Sequence, residues 1–213
     1  MKHTFFQFIR TAAIAAGLCV CAVQASAQVA GKDWQALMDQ HAVLMRQGQY
    51  QRSADVAQKA LVIAEKRFGK QHLDVALTLT NLAISYHALG RYRDALPLCQ
   101  RVLTIYEKVY GQEHPYTAQG LENLAEVYSR LAQHHDALPL RLRALKIREN
   151  SFGSEHVATA RSMNDLAATY SYLADYEKAL PLQQRALVVR QSLLDPDHPD
   201  TAQSLNNLEL IRK

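Results

Sequence analysis

Apolar residues fall at helical spacing in paired segments, and the pair itself returns every 42 positions along the 213-residue chain. Leu79, Leu82, Ala83 and Tyr86 follow the i, i+3, i+4, i+7 order of one buried helix face. After Gly90, which permits a turn, a second face runs through Ala95, Leu98, Cys99, Val102 and Tyr106. The next repeat gives Leu121, Leu124, Ala125 and Tyr128, then Ala137, Leu140, Leu142, Ala144 and Leu145. The one after gives Met163, Leu166, Ala167 and Tyr170, then Ala179, Leu182 and Ala186. No segment alternates with period two, so the pattern predicts no strand. Each repeat reads as a helical hairpin.

The step is kept by residues of several kinds. His72, His114, His156 and His198 obey it, as do Leu82, Leu124, Leu166 and Leu208, Gly69, Gly111 and Gly153, and Pro97, Pro139 and Pro181. A fixed period of this size signals stacked supersecondary elements, none able to cover its apolar face alone. Ala83, Ala125 and Ala167, with Ala95, Ala137 and Ala179, keep the paired helices close where bulk would separate them. Pro97, Pro139 and Pro181 are expected near the start of each second helix, where N–H groups have no intrahelical partner. Pro115 and Pro199 suit a first helical turn. The histidines, one per repeat and a whole hairpin apart, cannot converge on a metal ion. They are expected to cap or pack the inter-repeat turn.

The repeats divide the chain into 33–67, 76–109, 118–151 and 160–193, with 198–213 as a final capping helix. The first is degenerate, because Gln40 and His41 stand where Leu and Ala recur elsewhere. In the cap, Leu205 and Leu208 are expected to cover the preceding hairpin while Glu209, Arg212 and Lys213 stay polar.

Residues 1–27 are set apart from this array. Lys2, His3 and Arg10 make a basic start, an apolar stretch covers 11–23, and Ala25-Ser26-Ala27 supplies small residues before Gln28. That order predicts a cleavable signal peptide and an exported, periplasmic or secreted, chain, with 28–32 as a short linker. The apolar stretch falls short of the roughly 20 residues of a spanning helix, so stable membrane insertion after cleavage is not expected. Leu18 and Val20, before Cys19 and Cys21, are too large for lipid attachment. Cleavage would leave Cys99 as the one thiol, hence no internal disulfide, and would lower the formal charge from +4 to +2. So small an excess gives no reason to expect nucleic-acid binding.

Leu82, Ala83, Tyr86, Gly90, Tyr92 and Ala95 match the order of Leu, small residue, Tyr, then Gly, Tyr and Ala, and the chain resembles the tetratricopeptide repeat family. The usual repeat has about 34 residues. The longer step here, with Gly-Gln-Glu-His-Pro-Tyr-Thr-Ala at 111–118 and Leu-Pro-Leu at 138–140, resembles the kinesin light chain type. The resemblance implies an all-α, right-handed superhelix of stacked hairpins, an α-solenoid whose first helices line a concave groove. It further implies a non-catalytic module that binds an extended peptide or a segment of another protein there. Carried over by position, Asn81, Asn123, Asp165 and Asn207 precede the buried leucine and would face that groove. Thr80, Ile84 and His87, then Glu122, Glu126 and Arg130, then Arg161, Asn164, Ala168 and Tyr172 would flank them. The asparagines suit either of two roles: contact with a peptide backbone, or hydrogen bonding between adjacent repeats.

Other candidate chemistry is sparse. His134 and His135 lack the Cys or acidic neighbours of a metal site and are expected on a turn in a structural or solvated role. Arg141, Arg143, Lys146 and Arg148 make one second helix basic, expected as a solvated outer face. That run, with the incomplete terminal repeats, also admits a scaffold that assembles or self-associates through convex and end surfaces. Cys99 is expected to be only partly buried, since Arg141 and Gln183 occupy the same register. There is no phosphate-binding glycine loop, nucleophile elbow or paired-histidine metal motif, so neither cofactor nor catalysis is expected.

Overall fold

A computed structural model describes residues 33–194 and 198–211. The expected signal peptide 1–27, the linker 28–32 and the cap's last residues, Arg212 and Lys213, lie outside the described residues. Those described form helices and turns, with no strand among them. In chain order the helices are α1 (33–46), α2 (Tyr50–Phe68), α3 (Leu73–Ala88), α4 (Tyr92–Tyr110), α5 (Pro115–Arg130), α6 (His134–Phe152), α7 (Val157–Tyr172), α8 (Tyr176–Leu193) and α9 (Pro199–Ile211). The first helices of the three regular repeats begin at 73, 115 and 157, three residues before the repeat limits read from sequence. The chain divides into two compact units, one ending at Asn81 and one starting at Leu82, with α3 running through the division.

In the first unit, Met38, Leu44, Ala57, Ala60, Ala64, Val75 and Leu79 are buried. Trp34 donates its indole N–H to Thr78 at 3.0 Å and meets the Phe68 ring edge-on at 5.5 Å. His41, in the degenerate position, is buried 3.1 Å from the Asn81 carbonyl. Burial holds its pKa below the usual imidazole value. A polar side chain is tolerated where the other repeats use alanine because it finds that main-chain partner.

In the second unit α5 packs on α4 and α6, α7 on α6 and α8, and α9 on α8. Leu121 lies in a cluster with Ala144 and Ile147 of α6, and Met163 in one with Ala186 and Val189 of α8. Thus the second helix of the same hairpin supplies part of the cover for that row, with Leu103 of α4 and Leu145 of α6 adding to it from the preceding hairpin. Leu208 of the cap is buried, but Leu205, in the register of Leu121 and Met163, is 43% exposed. The expectation that both leucines cover the preceding hairpin therefore fails for Leu205, since no described helix follows α9 to bury its row.

Turn chemistry repeats as faithfully as the core. The N–H groups of Gln49, Arg91, Gln133 and Asp175 close back on the carbonyls of Leu44, Tyr86, Tyr128 and Tyr170 at 2.8–2.9 Å. This closure puts the residue before each donor in the left-handed region. Gly48 and Gly90 fill it in two turns (φ 70°), but Ala132 and Ala174 fill it in the next two (φ 59°). The expected histidine caps are present. Nδ1 of His72, His114, His156 and His198 accepts the N–H two residues on, at 3.1–3.2 Å. Phe68, Tyr110 and Phe152 stack on the first three of these rings at 4.7–5.0 Å. Thr117 and Thr159 complete two turns by donating to the Gly111 and Gly153 carbonyls at 2.7 Å.

Three sequence expectations need correction. Pro97, Pro139 and Pro181 are the sixth residues of α4, α6 and α8, beyond the unpaired first turn, so each removes a helical hydrogen bond. The prolines and the residues four positions back, Arg93, His135 and Glu177, are all exposed, which lets water take the missing donor's place. Leu142 is 44% exposed because Arg141, one residue earlier, takes the inward position. Cys99 is fully buried, and its register mates Arg141 and Gln183 are buried too. Burial pushes the Cys99 thiol up to about 11.

Four outcomes test this packing. Leu124→Ala should cost ~2–5 kcal/mol in urea denaturation, and Leu208→Ala, packed from one side, clearly less. A reversed order would contradict the placement of the array's end. Ala132→Gly and Ala174→Gly should each raise stability by ~0.5–1 kcal/mol, since relief of the left-handed alanine outweighs the added freedom of the unfolded chain. Cys99 should resist a thiol-reactive disulfide reagent in the native chain at mildly alkaline pH and react fully in denaturant.

Candidate functional site

The residues expected to line the groove fall in the first unit and in three environments of the second. Asn81 and Thr80 belong to the first unit. The Asn81 amide lies 4.0 Å from Met38 Sδ, and the Thr80 hydroxyl donates to the Ala76 carbonyl of its own helix at 2.9 Å. All the others sit in the second unit, on α3, α5, α7 and α9.

One group meets around Glu126. Its Oε1 accepts from Arg130 Nε at 2.7 Å and lies 3.9 Å from His87 Nε2, while Oε2 accepts from Arg141 Nη2 at 3.1 Å. Glu126 thus joins the end of α3, its own helix and α6. Arg130 stays half-exposed, and Arg161 and Ile84 are exposed with it. Tyr172 is 70% exposed and stacks face to face on His134 at 4.4 Å. His134 and His135 open α6 rather than lying on a turn, and burial with the nearby Arg141 charge holds the His134 pKa down.

A second group ties repeats together. Asn207 Nδ2 donates to Asn164 Oδ1 at 3.1 Å, and Asn164 Nδ2 donates to Asp165 Oδ1 at 3.1 Å. Gln183 Nε2 donates to the same Asn164 oxygen at 3.1 Å. Asn164 is buried, so it acts between repeats rather than on an open surface. Asn123 is half-buried and accepts from Gln119 at 2.9 Å, one turn away. Ala168, in the register of Glu126, is half-buried. Of the two roles open to the asparagine series, hydrogen bonding between repeats is observed at Asn207.

The third group is interior. Glu122 is 8% exposed, its Oε1 taking the Ser162 hydroxyl at 2.6 Å and Arg148 Nη1 at 3.4 Å. Arg148 also donates to Ser162 Oγ at 2.7 Å and to the Ala158 carbonyl at 3.2 Å. Arg190, one period on, repeats this with Ser204 Oγ and the Asp200 carbonyl, both at 2.7 Å. Arg141 donates to the Asp165 carbonyl at 2.9 Å and to the Thr169 hydroxyl. The basic helix is therefore not a solvated outer face. Arg141 and Arg148 are 5% and 6% exposed and bond α6 to α7, because each finds acceptors on the next first helix. Arg143 pairs with Glu107 at 2.5 Å, which leaves Lys146 as the exposed cation of the four. These rungs were missed in the sequence, although Arg148 with Arg190 and Ser162 with Ser204 keep the 42-residue step.

Burial and the neighbouring Asp165 push the Glu122 carboxyl above the ordinary carboxylate range, against the pull of Arg148. The folded chain therefore binds this proton more readily than the unfolded chain. The stability it contributes is present below the unfolded carboxylate range and is lost as pH rises through the raised native value. The stability of wild type relative to Glu122→Gln should fall across that window in urea denaturation at a series of pH values. Parallel curves would contradict the assignment.

The tetratricopeptide repeat family model matches residues 35–108, 74–140 and 116–187. No curated protein matches the sequence significantly. Among solved structures, the nearly identical TPR-like repeats of a Podosopora anserina protein assigned as a kinesin light chain are similar. They share a TM-score of 0.72 and 22% identity over 83% of this chain and 84% of that one. BtubC (BKLC) from P. vanneervenii gives 0.72 and 22% over 83% of this chain and 70% of that one. The apo form of RapI gives 0.71 and 15% over 84% and 48%. At such identities the shared property is the fold, an α-solenoid of stacked hairpins that serves protein–protein interaction and is typically non-catalytic. With family matches in succession from 35 to 187 and hairpins of the expected kind throughout, the chain belongs to the tetratricopeptide repeat family, with repeats like those of kinesin light chains.

Proposed function

We propose that the chain is an exported, non-catalytic interaction module that docks an extended segment of another protein along the first helices of its second unit. The observation that carries this reading is the set of polar side chains left open along one face of successive first helices. Arg130, Arg161 and Tyr172 are exposed, and Asn123, Glu126, Asp165 and Asn207 are partly so, on consecutive first helices. Amides offer both donor and acceptor to a passing backbone, which holds an extended chain without reading its sequence. Arg130, Glu126 and Tyr172 differ from repeat to repeat and would supply the sequence preference. Burial of Arg141 and Arg148 removes the basic surface that favoured assembly through the convex side.

Two measurements test the proposal. Binding to an immobilised library of extended peptides should fall at least tenfold in Asn123→Ala/Tyr172→Ala, with unchanged circular dichroism and melting. Equal binding would reject the docking face. The export half rests on the basic start, apolar stretch and Ala25-Ser26-Ala27 of the sequence. Amino-terminal sequencing of the protein expressed in a bacterial host should find Gln28 first in the periplasmic or secreted fraction. Uncleaved protein retained in the cytoplasm would reject it.

A further inference from the structure

A cleft of about 270 Å³ opens where α7, α8 and α9 meet. Tyr172 and Tyr176 stand at its rim, 70% and 51% exposed, and Gln183, with no exposed surface, forms its floor. Ser171 and Asn207 line the walls. The hydrogen bonds already made decide what these polar groups have left to offer.

Gln183 Nε2 donates to the Ser204 carbonyl and to Asn164 Oδ1, both at 3.1 Å. A main-chain carbonyl can only accept, so the amide cannot be turned over, and Gln183 Oε1 stays buried without a partner. Asn207 commits its amino group to the same Asn164 oxygen, which leaves its carbonyl oxygen as the acceptor. The Ser171 hydroxyl donates to the Ala167 carbonyl at 2.9 Å, so its oxygen can only accept. Three oxygens therefore offer lone pairs, against the one N–H that Asn207 still has to give.

A lining with three acceptors and one remaining amide donor favours a group made only of donors over a carboxylate or phosphate. An ammonium has three donors and no acceptor. The Tyr176 ring and the face of Tyr172 not stacked on His134 stand at the rim, and their electron-rich surfaces favour a cation. Asp165, hydrogen-bonded to Asn164, adds negative charge two hydrogen bonds away from the floor. The nearby Lys178 is held by Asp175 at 2.6 Å, outside this set. We infer that the cleft is a binding site for a primary ammonium group, whose natural source is a lysine side chain of the docked segment. The choice of lysine as source rests on the docking reading above; the ammonium site itself does not.

The test uses the full chain with four probes: Nα-acetyl-lysine methylamide, its Nε-acetyl form, its Nε-trimethyl form, and 1,5-diaminopentane. Affinities are read from shifts of the Gln183 side-chain amide in ¹H–¹⁵N spectra. The lysine probe should move that signal, and the Nε-acetyl and Nε-trimethyl forms should bind at least tenfold more weakly, the first lacking charge and the second lacking donors. Tyr172→Ala, a change at an exposed ring, should weaken the lysine probe severalfold in a chain that keeps its melting temperature. Tighter binding of the lysine probe than of the diamine assigns the site to a peptide side chain. The reverse assigns it to a free amine and overturns the lysine source. No shift with the lysine probe, or equal affinity for either modified form, overturns the ammonium site. A lysine shift in a chain whose Asn123→Ala/Tyr172→Ala variant still captures library peptides would reject the docking face and leave this site standing.

Discussion

In the second unit, the apolar rows of α5 and α7 are buried between the helices that precede and follow them. Leu121 is covered by Ala144 and Ile147, and Met163 by Ala186 and Val189. Where the described chain has no further helix, Leu205 stays open. This dependence of each element on its neighbour is what a 42-residue period means physically. Stability is built contact by contact along the array, with no central core to collapse around. The surfaces that do not take part in stacking remain free for partners.

Stacking is not purely apolar. Arg148 and Arg190 sit in the interior and bind a serine and a main-chain carbonyl of the next first helix, and Arg141 does the same through Thr169 and Asp165. Buried guanidinium groups would be costly alone, but each here meets several acceptors in fixed positions. Such rungs favour one register between hairpins over a slipped one, because a shift would strand the charge. Glu122 shows the cost of the same burial for an acid: desolvation pushes its carboxyl above the ordinary carboxylate range.

Much of the fold was legible in the sequence because it depends on spacing. Helix pairs, histidine caps and the residues at the turns all recur at one period, and a recurring position reveals its environment several times over. The prolines misled because they lie near a helix start in the sequence, yet each is the sixth residue of its helix, past the unpaired first turn. Arg141 and Leu142 misled because composition assigns arginine to the surface and leucine to the core, whereas the register of Cys99 and Gln183 assigns the reverse. The candidate site was legible only as a row of positions. Which of them are open, such as Tyr172, and which are spent between repeats, such as Asn164, follows from side-chain partners that spacing does not encode.

Nearest-neighbour burial is measured most directly by native-state hydrogen exchange of the intact chain. Backbone amides of α5, α6 and α7, covered by helices on both sides, should show the highest opening free energies, and those of α9 the lowest of the second unit. Protection that is uniform across α5 to α9, or greatest in α9, would contradict the account.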